Sequence, residues 1–317
     1  MKLFKQILIL ILVFSLFVSV NLGFYWTFTV RCGNNFGTAS SPKAIRADQY
    51  LPFDEDSFIY KTESDFKITE DMPVLDGATA LLPVYSAIAN AVYPEDSCKF
   101  DGTAFAEDSA VQYRNTVGAY KAVVDGTADI VFCAGPSESQ RKYAEDNGAE
   151  LVFVPIGYEA FVFFVNADNP VDSLTVEQIQ GIYTGKYTNW SEVGGTSRII
   201  NPLQRPEGSG SQTMMLKFMK GQEMDSSLFA PFGGAIGFSF RFYLDGIVDN
   251  GGVKMLSVNG VYPDANNIRN GTYPIVSNFY AVYRADNNNE NIKPLIDYIL
   301  SPEGQEIINN SGYVGVS

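Results

Sequence analysis

Apolar and polar positions alternate along the first half of the chain in blocks that predict strands followed by helices. Short apolar runs predict the strands, and longer stretches with apolar residues at helical spacing predict the helices. The predicted strands are 72–76, 111–113, 129–134 and 151–155, and the predicted helices are 82–93, 117–124 and one that begins at 136–140. This alternation predicts a largely parallel sheet covered by helices.

The second half predicts a separate lobe and a return to the first. The apolar run 160–166 is predicted to cross into the second lobe, and 272–283 is predicted to cross back. Two strands that join two lobes would form a hinge. We therefore expect one lobe from 72–158 with 272–317, and another from 159–271.

The first 71 residues carry two different patterns. Lys2 and Lys5 precede an apolar run from Ile7 to Val30, which is long enough to span a bilayer. We expect 1–31 to be a signal or membrane anchor, with the body held outside the cytoplasm. Lipidation of Cys32 is the alternative, although Arg31 stands where such signals place a small residue. Residues 32–71 are polar and acidic and predict a linker or surface extension.

Composition excludes several classes of function. A net charge of -14 argues against nucleic acid as a partner. The chain has no histidine, so it has neither a Ser-His-Asp nor a Cys-His constellation, and it lacks the commonest transition-metal ligand. Cys98 and Cys133 are expected to be buried thiols rather than a disulfide. We expect no enzyme activity, no cofactor and no metal.

The segment 204–213 carries the clearest candidate chemistry. Arg205 and Glu207 precede a Gly-Ser-Gly-Ser turn, and a helix-like apolar run follows at 214–219. Free N–H groups at a helix start favour anions, and an arginine fork suits an oxyanion. Taken alone, the segment is more often an ordinary capped helix. Other small polar residues fall at predicted strand ends, where ligands bind in such sheets, namely Thr79, Thr116 and Ser137, together with Ala134.

From about Pro73 onward the chain resembles the substrate-binding proteins of bacterial phosphate ABC importers. The resemblance rests on the order and spacing of several segments: 77–79 with 83–85, 166–171 with 174–175 and 182–190, 205–211, 273–275 and 301–305. It implies an α/β, two-lobed periplasmic-binding-protein-like (type II) fold with hinge strands, here preceded by an N-terminal hydrophobic helix. It also implies a monomer that captures phosphate between its lobes and delivers it to the permease subunits of the importer.

The same resemblance implies roles for individual residues. Thr79 and Ala80 would offer N–H and hydroxyl donors, and Thr116 matches a family serine at a helix start. Arg205 would pair with phosphate and be oriented by Glu207, while three neighbours would donate from the helix start, namely Ser209, Gly210 and Ser211. Simple helix capping is the alternative for Thr79 and Thr116.

One departure affects the ligand. The family has an aspartate, which accepts the proton of phosphate, where this chain has Ala134. Its loss predicts weaker discrimination against sulfate. Candidate replacements in the sequence are Ser137, Glu138, Ser139 and Glu159. A membrane-tethered binding or sensor domain for sulfate or another oxyanion, uncoupled from transport, is therefore the alternative function.

Overall fold

The computed structural model describes residues 47–225, 234–244 and 252–316. The predicted anchor at 1–31 and Cys32 lie outside these residues. Within them, no helix is both long enough and apolar enough to cross a membrane.

The elements of the described residues alternate much as the sequence predicts. The strands are β1 (Leu75–Gly77), β2 (Ile130–Ala134), β3 (Leu151–Asn166), β4 (Ser173–Leu174), β5 (Ile200–Pro202), β6 (Gly234–Phe240), β7 (Val253–Met255), β8 (Ser257–Val258), β9 (Val276–Arg284) and β10 (Val314–Gly315). The α-helices are α1 (Leu82–Val92), α2 (Asn115–Asp125), α3 (Glu138–Asp146), α4 (Val176–Tyr183), α5 (Gly210–Met219), α6 (Ala265–Arg269), α7 (Ile292–Leu300) and α8 (Pro302–Asn310).

Strand β3 is the longest element among the described residues and belongs to both halves of the main sheet. Its first part pairs with β9 as far as Ala160, and from Phe161 onward it pairs with β6. The sequence predicts two strands here, at 151–155 and 160–166, but the structure has one. A register shift between Pro155 and Gly157 takes up the interruption, because a bulge tolerates a residue without an N–H and a residue without a side chain.

The prediction of a largely parallel sheet was wrong. The strand order is β1-β2-β9-β3-β6-β5. The pairs β1–β2 and β5–β6 are parallel, but β9 lies antiparallel between β2 and β3, and β3 and β6 are also antiparallel. The returning strand and the crossing strand pair with each other, so the sheet is mixed. The predicted strand at 111–113 is reduced to a single bridge from Val111 to Leu75.

Separate apolar clusters form on the two sides of the point where β3 changes partner. One surrounds α1, α7 and α8, and another surrounds α4, α5 and the second part of β3. Trp190 is fully buried in the second cluster and donates from its indole nitrogen to the carbonyl of Gly234 at 3.0 Å. The fold therefore stabilises each side with its own core.

Residues 47–71 form a strap over the first cluster. Tyr50, Ile59 and Ile68 are buried in that cluster, and the Ile68 N–H donates to the carbonyl of Val92 at 2.8 Å. The ring of Phe66 stacks on Tyr298 of α7 at a centroid distance of 5.1 Å. This polar, acidic segment is thus fixed to the body by a few apolar side chains.

A buried ion pair holds the start of α2. Asp76 is the middle residue of β1, and its side chain is fully buried. It accepts hydrogen bonds from the backbone N–H of Arg114 at 3.0 Å and from the Arg114 guanidinium at 2.9 Å. Burial raises the pKa of Asp76, although the hydrogen bonds from Gly77 and Arg114 oppose this effect. The pair fixes the chain immediately before Asn115 and Thr116.

We expect Arg114→Met to lower the free energy of unfolding by about 3 kcal/mol at neutral pH, because it leaves a buried carboxylate without its cation. The deficit should shrink as the pH falls toward about 5, since protonation of Asp76 removes the unpaired charge. Chemical denaturation at both pH values measures this. The control is Lys293→Met, which breaks an exposed pair with Asp297 at 3.7 Å and should change little. Equal effects of the two substitutions would contradict the assignment.

Candidate functional site

A cavity of about 210 Å³ lies where the two sides of the fold meet. Loops and helix starts from both apolar clusters contribute to its wall. The lining residues are Ala78, Thr79, Ala80, Leu81, Asn115, Thr116, Val117, Ala134, Glu159, Arg205, Ser209, Gly210, Ser211, Ser239, Phe240, Tyr243, Asn278, Phe279 and Tyr313. Such a volume accommodates a small polyatomic ion with some water.

Three helix starts point their first residues at this cavity. They are the short 3-10 helix Thr79–Leu81 that leads into α1, the start of α2 at Asn115, and the start of α5 at Gly210. The first N–H groups of a helix have no partner within the helix and carry partial positive charge. Their convergence makes the cavity suitable for an anion.

Gly210 lies where two of these helix starts come near each other. A Cβ atom at this position would make ordinary van der Waals contacts, at 3.4 Å from the ring of Phe240, 3.7 Å from Cβ of Ala134 and 3.8 Å from Oγ1 of Thr116. A side chain larger than that of alanine would enter the space between α5 and α2. The absence of a side chain leaves the backbone N–H groups at the start of α5 accessible from the cavity.

The capping role at α2 belongs to Asn115 rather than to Thr116. Asn115 has a φ of +59°, and its side-chain oxygen accepts from the Val117 N–H at 3.0 Å. Within the described residues the Thr116 hydroxyl has no hydrogen-bond partner. The hydroxyl of Thr79 is also not used as a cap, but receives a hydrogen bond from Tyr113 at 3.3 Å. Capping therefore does not occupy either threonine.

The hydroxyl of Ser209 caps a helix and still has a proton that it can donate. It is the N-cap of α5, and its hydroxyl oxygen accepts from the Gln212 N–H at 3.2 Å. The hydroxyl proton can still rotate toward the cavity. Ser211 follows in the first helical turn and also lines the cavity.

Arg205 reaches the cavity without help from Glu207. Its guanidinium lies beside the hydroxyl of Tyr243, where burial raises the pKa of the phenol and the Arg205 cation partly opposes the rise. The backbone N–H of Arg205 donates to the side chain of Gln212 at 2.9 Å. Glu207 is exposed, does not line the cavity, and forms no ion pair with Arg205 among the described residues.

Seven of the eight predicted site residues thus line one cavity, and Glu207 is the exception. Sequence reasoning missed several polar lining residues: Asn115, Ser239, Tyr243, Asn278 and Tyr313. Asn115 could have been found, since it directly precedes Thr116. Ser239 and Asn278 come from strands, Tyr243 follows the end of β6, and Tyr313 comes just before β10, where no local motif marks them.

The cavity still has a carboxylate in its lining, although position 134 is an alanine. Ala134 lines the wall, as predicted for a strand end, and Glu159 lines it as well. Three other candidate replacements lie outside the lining, because Ser137 and Gln140 form the capping box of α3 and Glu138 and Ser139 are exposed beside them. Among the described lining residues, Glu159 is the only carboxylate and Arg205 the only cation.

Two contacts connect the opposite walls beside the cavity. The side-chain amide of Gln140, which is buried, donates to the carbonyl of Gly208 at 3.1 Å. The Lys217 ammonium approaches Gly135 closely, at 3.1 Å from the position that a Cβ would take. Burial and the nearby charge of Arg141 lower the pKa of Lys217. The hydrogen bond from Gln140 to Gly208 holds the two walls together, whereas the repulsion between Lys217 and Arg141 acts against it.

The acidic and cysteine side chains of the described residues are dispersed. These residues contain no cluster of three acidic or cysteine side chains that could hold a metal ion. Cys98 and Cys133 are free thiols, and burial raises the pKa of Cys98 to about 11. Raised thiol pKa values disfavour the reactive thiolate.

Comparisons with known proteins agree with the fold. A family model described as a PBP superfamily domain matches residues 73–303. The phosphate-binding protein PstS of Bacillus subtilis is 31% identical over 166 residues, which are 48% of this chain and 54% of that protein. The chain thus spans about half the length of that relative. PstS of Borreliella burgdorferi is 25% identical over 194 residues, covering 54% of this chain and 67% of that protein.

Among solved structures, one similar fold comes from a Clostridium perfringens protein that is described as a phosphate ABC transporter substrate-binding protein and contains bound phosphate. It superposes with a TM-score of 0.57 at 24% identity and covers 79% of this chain and all of the other. This similarity confirms the predicted α/β binding-protein fold.

Proposed function

We propose, because this chain belongs to the PBP superfamily and carries an anion-binding cavity, that it is an extracytoplasmic solute-binding protein that captures inorganic phosphate. The protein then delivers the phosphate to the permease subunits of an ABC importer. The names of the PstS relatives support the capture of phosphate, and the description of the Clostridium perfringens structure supports its delivery to a transporter. The N-terminal apolar segment would hold the protein at the outer face of the membrane.

The convergence of three helix starts with Arg205 on one cavity carries this proposal. Backbone N–H groups and a guanidinium bind the oxygens of a tetrahedral oxyanion, and they need no cofactor to do so. We assign donation to Thr79 and Ala80 at one wall, to Thr116 at the second, and to 209–211 at the third. Glu207 has no part in the cavity and is left without a direct role.

The chain is also proposed to act as a clamp. Residues 72–158 with 272–317 form one lobe and 159–271 the other, and β3 and the segment that leads into β9 connect them. Hinge motion is the usual closure of such folds. The hydrogen bond from Gln140 to Gly208 would hold the closed arrangement, because its donor and acceptor lie in different lobes.

Arg205→Ala is expected to weaken phosphate binding at least about tenfold, since a hydrogen bond to a charged group contributes about 1.5–3 kcal/mol. Titration calorimetry of the full-length protein with phosphate measures the change. Arg269→Ala removes an equal charge from the exposed end of α6 and serves as the control. If both variants bind phosphate as well as the parent, the assignment of Arg205 is wrong.

Gln140→Glu is expected to favour the open form. The new carboxylate can still accept from the Ser137 N–H, as Gln140 does at 2.8 Å, but it cannot donate to Gly208. Loss of this hydrogen bond should weaken phosphate binding about fivefold. Small-angle scattering should show a larger radius of gyration.

The matched control for Gln140→Glu is Gln178→Glu. Gln178 forms the same capping box with Thr175 at the start of α4 and makes no contact across the cavity. Its substitution should leave both the affinity and the radius unchanged. Identical behaviour of the two variants would assign the effect to helix capping and reject the latch.

A further inference from the structure

The segment that follows β6 packs against both apolar clusters beside the cavity. Phe242 and Tyr243 contact the cluster around α1, α7 and α8, whereas Leu244 is buried in the cluster around α4 and α5. The ring centroid of Phe242 lies 4.3 Å from that of Tyr313, which comes just before β10. The backbone at Tyr243 is therefore fixed on both sides, and the half-buried side chain of Tyr243 lines the cavity.

The Tyr243 hydroxyl is hydrogen-bonded to the Arg205 guanidinium, and both side chains line the cavity. A guanidinium has donors and no acceptor, so the phenol oxygen accepts in this bond and the phenol proton is left for another partner. Burial raises the pKa of Tyr243, and the nearby charge of Arg205 only partly opposes the rise. The phenol therefore keeps its proton at neutral pH and is a neutral donor beside the cation of the cavity.

Tyr243 makes the contact with Arg205 that the sequence assigns to Glu207. Glu207 is exposed and lies outside the lining of the cavity. A carboxylate at this place would neutralise the guanidinium and repel an oxyanion, whereas a phenol orients the guanidinium and leaves its positive charge to the ligand. The main chain of Arg205 is held as well, because its N–H donates to the side chain of Gln212 at 2.9 Å. Two neutral groups thus position the arginine.

We propose that Tyr243 is an oxyanion-binding residue, whose hydroxyl accepts a hydrogen bond from Arg205 and donates one to the bound phosphate. The inference rests on the proposed function and adds to it a ligand contact from outside the motif at 204–213. A hydroxyl that accepts from a cation and donates to an anion is polarised in the direction that strengthens both hydrogen bonds. Arg205 and Tyr243 therefore bind the ligand as a single unit.

Another wall of the cavity has a related arrangement. The Tyr113 hydroxyl donates to Oγ1 of Thr79 at 3.3 Å. Thr79 thus accepts from a tyrosine and keeps its own proton, just as Tyr243 accepts from Arg205 and keeps its own. In both walls a hydroxyl oxygen is engaged by the protein while its proton remains available to the ligand.

The test is titration calorimetry of the full-length protein with inorganic phosphate, in the parent and in Tyr243→Phe. The substitution removes the hydroxyl and keeps the ring that packs against the first cluster. We expect phosphate binding to weaken at least about tenfold, because the lost hydrogen bond has a charged acceptor.

The matched control is Tyr93→Phe. Tyr93 is buried at the end of α1 that lies away from the cavity, and its hydroxyl donates to the carbonyl of Pro73 at 2.7 Å. The control removes the same atoms and a hydrogen bond within the protein, so it should lower stability without changing the affinity for phosphate.

Two further measurements separate a ligand contact from a structural effect. Tyr243→Phe combined with Arg205→Ala should weaken binding at least about threefold less than the product of the two single effects, because the residues act as one unit. A crystal structure of the parent with phosphate should place the Tyr243 hydroxyl within about 3 Å of a phosphate oxygen. This second measurement tests the contact even if the variants do not fold.

The outcomes separate the inference from the proposed function. If the parent does not bind phosphate, the proposed function fails, and this inference fails with it. If the parent binds phosphate but Tyr243→Phe binds it equally well, or the single effects multiply, or the hydroxyl does not contact the bound ion, only the assignment of Tyr243 is overturned.

Discussion

Continuous backbone pairing along β3 is the constraint on which the rest of the molecule depends. Sixteen residues in one strand hydrogen-bond first to β9 and then to β6, so one chain segment is part of two differently packed regions. The cavity lies beside this transition, and its lining comes from elements on both sides of it. Helices on each side begin at its edge, and their starts face one another over the gap. The candidate site is thus a consequence of how the sheet is divided.

The proposed chemistry is local and does not follow from the overall charge. The chain carries a net charge of -14, yet three helix starts and one guanidinium contribute to the lining of the cavity. Exposed charges farther than about 10 Å are largely screened at physiological salt, whereas partial charges at helix starts act at contact distance. An acidic surface and an anion site are therefore compatible. The surface charge supports solubility, and the cavity provides recognition.

The sequence was sufficient for the parts of the site that are contiguous. Arg205 and 209–211 lie in one short motif, and Thr79 and Thr116 follow predicted strands. Patterns of neighbouring residues were therefore enough to identify them as candidates. Strand direction was not predictable in the same way, because the antiparallel insertion of β9 between β2 and β3 depends on contacts far apart in sequence. Tyr313 and Asn278 reach the cavity only through that insertion and through β10. Asn115 competes with its neighbour for the cap, and only geometry shows that the asparagine takes it.

The strap at 47–71 has a mechanical consequence. It is fastened to the apolar cluster around α1, α7 and α8 by Tyr50, Ile59, Ile68 and Phe66. Under the proposed membrane attachment and clamp motion, the part of the fold around that cluster would be the stationary arm, and 159–271 would be the arm that moves. A force along the tether would be transmitted into a packed core rather than into the hinge. The cavity could then open and close without any movement of its attachment.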